Sequence, residues 1–245
     1  MPIAVPIVAG TVIKGLAANI VMRGVLQRHP NAFLITLRRF GVTLPLHRSQ
    51  EHIASDIRKG LIAQGRDPDS PVALVGHSQG GLAVLRFAID HPEQVVHVFS
   101  VGTPWEGASP ASLSAAVYRR TGVDLTPAFT DMAPKSPFLT QLHEDLPAVA
   151  DRVTNIYSTH EVLIRPYVHA HIPIEGVTNV LIASEKEYEH HLRVYREYDV
   201  DELILGRVTH LGEMNSPEVR SLIWGKVDEI GAQLRRSAGP GATRE

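Results

Sequence analysis

The chain has 245 residues, 44% of them hydrophobic and 20% charged, with a formal net charge of −2. That near-neutral balance gives no support to a nucleic-acid footprint or an anionic-membrane patch, so neither partner is expected. Cysteine is absent, which excludes disulfides, thiolate catalysis and cysteine-ligated zinc.

Ile3 to Ala9 is a short apolar run that predicts a first strand, ending at Gly10-Thr11. Pro6 inside it has no N–H, so that position must face a place needing no ladder bond. Lys14 to His29 predicts a helix closed by Pro30-Asn31, and Ala32 to Leu37 a second buried strand. Arg48 to Ile62 sets Ile53, Ile57, Leu61 and Ile62 against a charged face, an amphipathic helix. Lys14 and Arg23 interrupt the early apolar stretches, so no bilayer span is expected. No basic segment precedes the apolar Met1–Ala9 run, and the expectation is a soluble cytoplasmic protein, secretion applying if the chain is a processed form.

Pro71 to Val75 predicts a buried strand that feeds directly into Gly76-His77-Ser78-Gln79-Gly80-Gly81. Leu82 to Ile89 then predicts a helix, stopped at His91-Pro92. Strand, Gly-x-Ser-x-Gly and helix in succession force a sharp turn with a serine at its tip. A hydroxyl is a weak nucleophile at neutral pH, so Ser78 needs a base within reach. Val95 to Val101, Val153 to Tyr157, Thr178 to Ile182 and Glu202 to Leu205 are further strands. Ser216 as cap and Pro217 at the first helical position open a last helix, and Arg235 onward is polar tail, taken as flexible over 236–245. Strand and helix alternate throughout, so the fold class is α/β with a mostly parallel sheet and helices on both faces.

With its elbow, Val101-Gly102-Thr103-Pro104-Trp105-Glu106-Gly107, Ser136-Pro137-Phe138-Leu139 and Thr209-His210-Leu211-Gly212, the chain resembles the α/β-hydrolase superfamily, and its bacterial lipase/esterase branch in particular. The resemblance covers roughly Pro71 to Ile230, and it implies one domain over 1–245 with 104–151 as a helical cap insertion, or else a packed helical connection with no gating role. Trp105, Leu113, Phe129, Met132, Phe138 and Leu139 are then candidates to line an acyl pocket, or else simple core. The family's histidine after the first strand is missing here, where Ala9, Gly10 and Thr11 stand. The oxyanion hole is implied at the backbone N–H groups of Gln79 and Thr11.

The triad acid is implied at Glu161, where the family usually has aspartate in a Ser-x-x-Asp frame. Asp131, Asp145, Asp199 and Asp201 are the alternatives. Of the 13 histidines, His210 alone has the right order and local frame for the base. His97 reads as a core-edge histidine and His160 as exposed. His190 and His191 are adjacent, point to different faces and lack a third ligand, so no metal and no cofactor is expected. The implied activity is that of a serine carboxylic-ester hydrolase on small-molecule esters with an apolar acyl chain. An acyltransferase on the same triad, or a catalytically silent binding module, are the rival readings.

Overall fold

A computed structural model of the chain describes residues 2–9, 29–39, 42–43, 45–108 and 130–237. Thr11, the expected helix after it, Leu113, Phe129 and the last eight residues lie outside them. The strands are β1 (Val5–Ala9), β2 (Ala32–Thr36), β3 (Arg38–Arg39), β4 (Val42–Thr43), β5 (Val72–His77), β6 (Val95–Val101), β7 (Val153–Ser158), β8 (Thr178–Ala183) and β9 (Glu202–Leu205). The described helices are α1 (Leu46–Ala63), α2 (Gln79–Asp90), α3 (Pro137–Asp145), α4 (Glu185–Val194) and α5 (Pro217–Ser237). α5 therefore continues through Arg236 and Ser237, into the stretch expected as tail.

Seven strands form one sheet in the order β2-β1-β5-β6-β7-β8-β9. Every neighbouring pair in it is parallel. Parallel strands covered on both faces read as continuous apolar runs, and β5 is buried at every position. The period-two alternation sorts its side chains: Val72 and Leu74 pack with Ile53, Ile57 and Leu61 of α1 and Leu82 and Leu85 of α2. Ala73 and Val75 pack on the opposite side with Val219, Ile223, Val227 and Ile230 of α5. Burial of each such Leu, Ile or Val is worth about 1.5–3 kcal/mol.

Pro6 sits inside a strand paired on both sides, so its missing N–H must fall where no ladder bond is made. Val5 donates its N–H toward β2, to Asn31 O at 2.9 Å, so the alternation turns Pro6 toward β5, in the gap between the Ala4–Val72 bridge and the register that resumes at Ile7. In the described part of 104–151, Trp105, Met132 and Leu139 are almost completely buried and belong to the same core cluster as Leu82 and Leu85 of α2. The Trp105 carbonyl accepts a hydrogen bond from His143 Nε2 at 2.8 Å, and the two rings stack.

Candidate active site

Parallel topology collects the carboxyl ends of β5, β6 and β7 at one edge of the sheet, where folds of this kind bind their ligands. Ser78 stands at that edge between β5 and α2, with φ 57° and ψ −125°. Only Lys135 shares a positive φ among the described non-glycine residues. Such a backbone costs about 1–3 kcal/mol and survives only where its surroundings over-determine it. They do so here. Ser78 donates its N–H to Val101 O, and its own carbonyl accepts from Gly81 N–H, both at 2.9 Å. A Cβ on Gly76 would collide with Val84 and the Gly80 carbonyl, and one on Gly81 with Thr103. Gln79 supplies the first backbone N–H of α2, at the helix end that favours negative charge.

His210 lies on the loop between β9 and α5, 1% exposed. Its backbone carbonyl accepts from His77 Nε2 at 2.8 Å, and the two imidazole rings lie 4.7 Å apart. A carbonyl only accepts, so His77 carries its proton on Nε2. Burial pushes the His77 pKa down, against the His210 carbonyl and Glu161, which push it up, and the ring stays neutral. Gly102, at φ 54° just past β6, abuts the same histidine: a Cβ there would fall 3.1 Å from His210 Nδ1. His210 is thus seated on the ends of β5 and β6, beside the serine elbow.

Glu161 follows β7 on the next loop and is 5% exposed. Its Oε2 accepts from His210 Nδ1 at 2.7 Å, and its Oε1 from the N–H groups of Leu163 and Ile164 at 2.8 and 3.4 Å. Burial would push this carboxyl up, but the His210 imidazole and those two amides outweigh it, and the pKa lies below the ordinary value. The bond from Nδ1 fixes the tautomer and leaves Nε2 of His210 as the basic nitrogen. Asp131 instead accepts from Leu46 N–H, Asp145 pairs with Arg86, and Asp201 accepts from Asn179 N–H. The extra methylene of glutamate over aspartate is accommodated by the Leu163 and Ile164 amides gripping the opposite oxygen.

Three of the other histidines that the sequence singles out have structural partners. His97 is buried, bonded to Thr154 Oγ1 at 2.9 Å, with its pKa pushed down to about 4 by desolvation. His160 is only partly exposed, its Nε2 lying 3.2 Å from Glu187 Oε1. His191 uses both nitrogens, on Tyr167 Oη and the Tyr198 carbonyl, each at 2.9 Å.

Sequence reasoning missed Glu213, three residues after His210 and fully buried. Its Oε2 lies 3.6 Å from His77 Nε2 and 4.0 Å from His210 Nδ1. Burial, followed by the charge of Glu161, pushes its pKa well above the usual carboxylate value, so it holds its proton. These three residues bring potential metal-ligand atoms within 4.8 Å of one another. Both imidazole nitrogens facing Glu213 are already donors, to the His210 carbonyl and to Glu161, so a cation would have to displace two protons and two buried hydrogen bonds. The two histidines fit a hydrogen-bonded network with Glu161 better than a metal centre. Among the described residues, no helix is long and apolar enough to cross a membrane.

Among curated proteins, none matches the sequence. Similar solved structures include a Bacillus licheniformis lipase, BlEst2 in its mature form, at 13% identity and TM-score 0.55 over 92% of each chain. The meta-cleavage product hydrolase CumD of Pseudomonas fluorescens is similar at 12% identity and TM-score 0.55, over 93% of this chain and 91% of that one. Aspergillus fumigatus lipase B is similar at 19% identity and TM-score 0.57, over 91% of this chain but only 51% of that one. These likenesses establish a shared fold. The sequence model of the Alpha/beta hydrolase family matches residues 17–219, and with the parallel sheet and the strained strand-to-helix turn this places the chain in that family.

Proposed function

We propose that the chain is a serine carboxylic-ester hydrolase working through an acyl-enzyme, with Ser78 as nucleophile, His210 as base and Glu161 as its orienting acid. The observation that carries this reading is the buried 2.7 Å hydrogen bond between His210 Nδ1 and Glu161 Oε2, in a network that reaches His77, the residue before a serine held at φ 57°. Ser78 Oγ attacks the ester carbonyl carbon while His210 Nε2 takes its proton; Glu161 stabilises the resulting imidazolium. The tetrahedral oxyanion rests on the Gln79 N–H and on the Thr11 N–H implied by the family pattern, each donor worth about 3–4 kcal/mol. The imidazolium returns the proton to the departing alcohol, and water repeats the cycle on the acyl-serine with the same base.

An apolar acyl group is the proposed substrate feature, on the strength of the lipase-like segments around Gly102–Gly107 and His210. Two of the structures sharing its fold are named as lipases. Turnover of p-nitrophenyl esters of graded chain length tests this. Activity that rises with chain length and vanishes in Ser78→Ala supports it; turnover surviving in Ser78→Ala contradicts it.

A further inference from the structure

Glu213 is a buried acid for which the serine mechanism has no use. Neither of its carboxyl oxygens has a hydrogen-bond partner, though it is fully enclosed. A glutamine or an apolar residue would fill that volume without hiding an ionisable group, so the position calls for an explanation. The titratable groups facing it are His77 from the end of β5, Glu161 from the loop after β7, and His210 from its own loop. From the end of β6 it meets Gly102, whose missing Cβ is what leaves space for Oε2.

We propose that Glu213 is a reserve positioning acid, able to accept the Nδ1–H of His210 when Glu161 cannot. The inference rests on His210 being the base for Ser78. Two carboxylates this close to one imidazole do not both ionise readily. Glu161, gripped by three donors, keeps the charge; Glu213, gripped by none, keeps the proton. Removing the Glu161 charge removes that repulsion; burial, the larger of the two influences holding the proton on Glu213, remains, and it is opposed by the imidazole N–H that has lost its acceptor. Glu213 then releases its proton to solvent; the nearer donor, His77 Nε2 at 3.6 Å, is committed to the His210 carbonyl, so the donor left without an acceptor is His210 Nδ1, 4.0 Å away. Closing to a charge-assisted bond of about 2.7–2.9 Å needs a shift of about 1 Å, small for a glutamate side chain beside a glycine.

The test compares kcat for a p-nitrophenyl ester in Glu161→Gln, Glu213→Gln and the double variant, from acid to alkaline pH. Orphaning a triad histidine costs about 10⁴-fold. The proposal expects Glu161→Gln to retain at least about 10-fold more kcat than the double variant, with KM little altered. Losing a neighbouring negative charge alone would move the acid limb of kcat to lower pH, because imidazolium is stabilised less. Recruitment of Glu213 moves it to higher pH, since the orienting charge appears only once Glu213 deprotonates. A low-field imidazole N–H proton resonance that survives in Glu161→Gln and disappears in the double variant is the matching spectroscopic sign. Glutamine is isosteric with the protonated acid, and melting curves establish that each variant folds. Equal kcat in Glu161→Gln and the double variant, or an acid limb moved downward, overturns the proposal. If wild type is not labelled at Ser78 by a fluorophosphonate, the serine reading itself fails and the proposal fails with it.

Discussion

Ser158 Oγ donates to the Val208 carbonyl at 2.6 Å and accepts from the His160 N–H at 3.1 Å. One hydroxyl at the end of β7 therefore ties the loop carrying Glu161 to the loop carrying His210. Those loops are separated by β8, α4 and β9 in sequence, so their registration is not a local matter. Ser158→Ala should leave a carbonyl and an N–H unsatisfied at a buried site, costing about 1–3 kcal/mol in a denaturant melt. The same variant should lower kcat more than it raises KM, because the acid and base drift relative to each other before substrate contacts change.

The Glu161 carboxyl is held below its ordinary range in the folded chain, so its ionisation favours folding. The unfolded chain takes up a proton first as pH falls through about 4.3. The contribution is thus complete above that value and is lost as pH drops through the folded pKa. Urea melts across the acid range should show Glu161→Gln losing less stability on acidification than wild type does.

Glu213 has the opposite sign. Its folded pKa is raised, so above about pH 4.3 the unfolded chain gives up a proton that the folded chain keeps, and stability declines as pH rises. Glu213→Gln removes that penalty. It should melt at a higher temperature than wild type at pH 7, with the advantage shrinking toward pH 4.

Gly102 is constrained twice, by φ 54° and by the absence of space for a side chain between Glu213 and His210. Gly102→Ala should cost about 1–3 kcal/mol in stability and also displace the imidazole, so esterase activity should fall even where the variant is fully folded. Gly212→Ala is the control: it lies on the loop that carries His210, but its nearest heavy atom would be a Val208 methyl at 3.1 Å. Circular dichroism melts with parallel rate measurements separate the two effects.

Much of this arrangement was legible in the sequence, because its signals are local. The buried run at 72–75, the glycines around Ser78 and the helix after it need only a window of twenty residues to read. The order of Ser78, Glu161 and His210 came from the family pattern, and the structure brings the last two into a hydrogen bond. Glu213 was not legible. Between Gly212 and the Ser216-Pro217 cap it looks like a solvated acid in a turn, and it is buried only because β5 and β6 end against it. β3 and β4, of two residues each, are too short to show any periodicity. Ser158 appears in sequence as an ordinary strand-end serine; its role depends on a partner fifty residues away.

The most direct measurement is the rate at which a fluorophosphonate modifies the folded protein, with the modified residue identified by peptide mass. A single adduct on Ser78 is expected in wild type, with His210→Ala slower by orders of magnitude, up to about 10⁶-fold if acylation depends on the base as turnover does. An adduct on another residue, or equal rates in wild type and His210→Ala, would contradict the account.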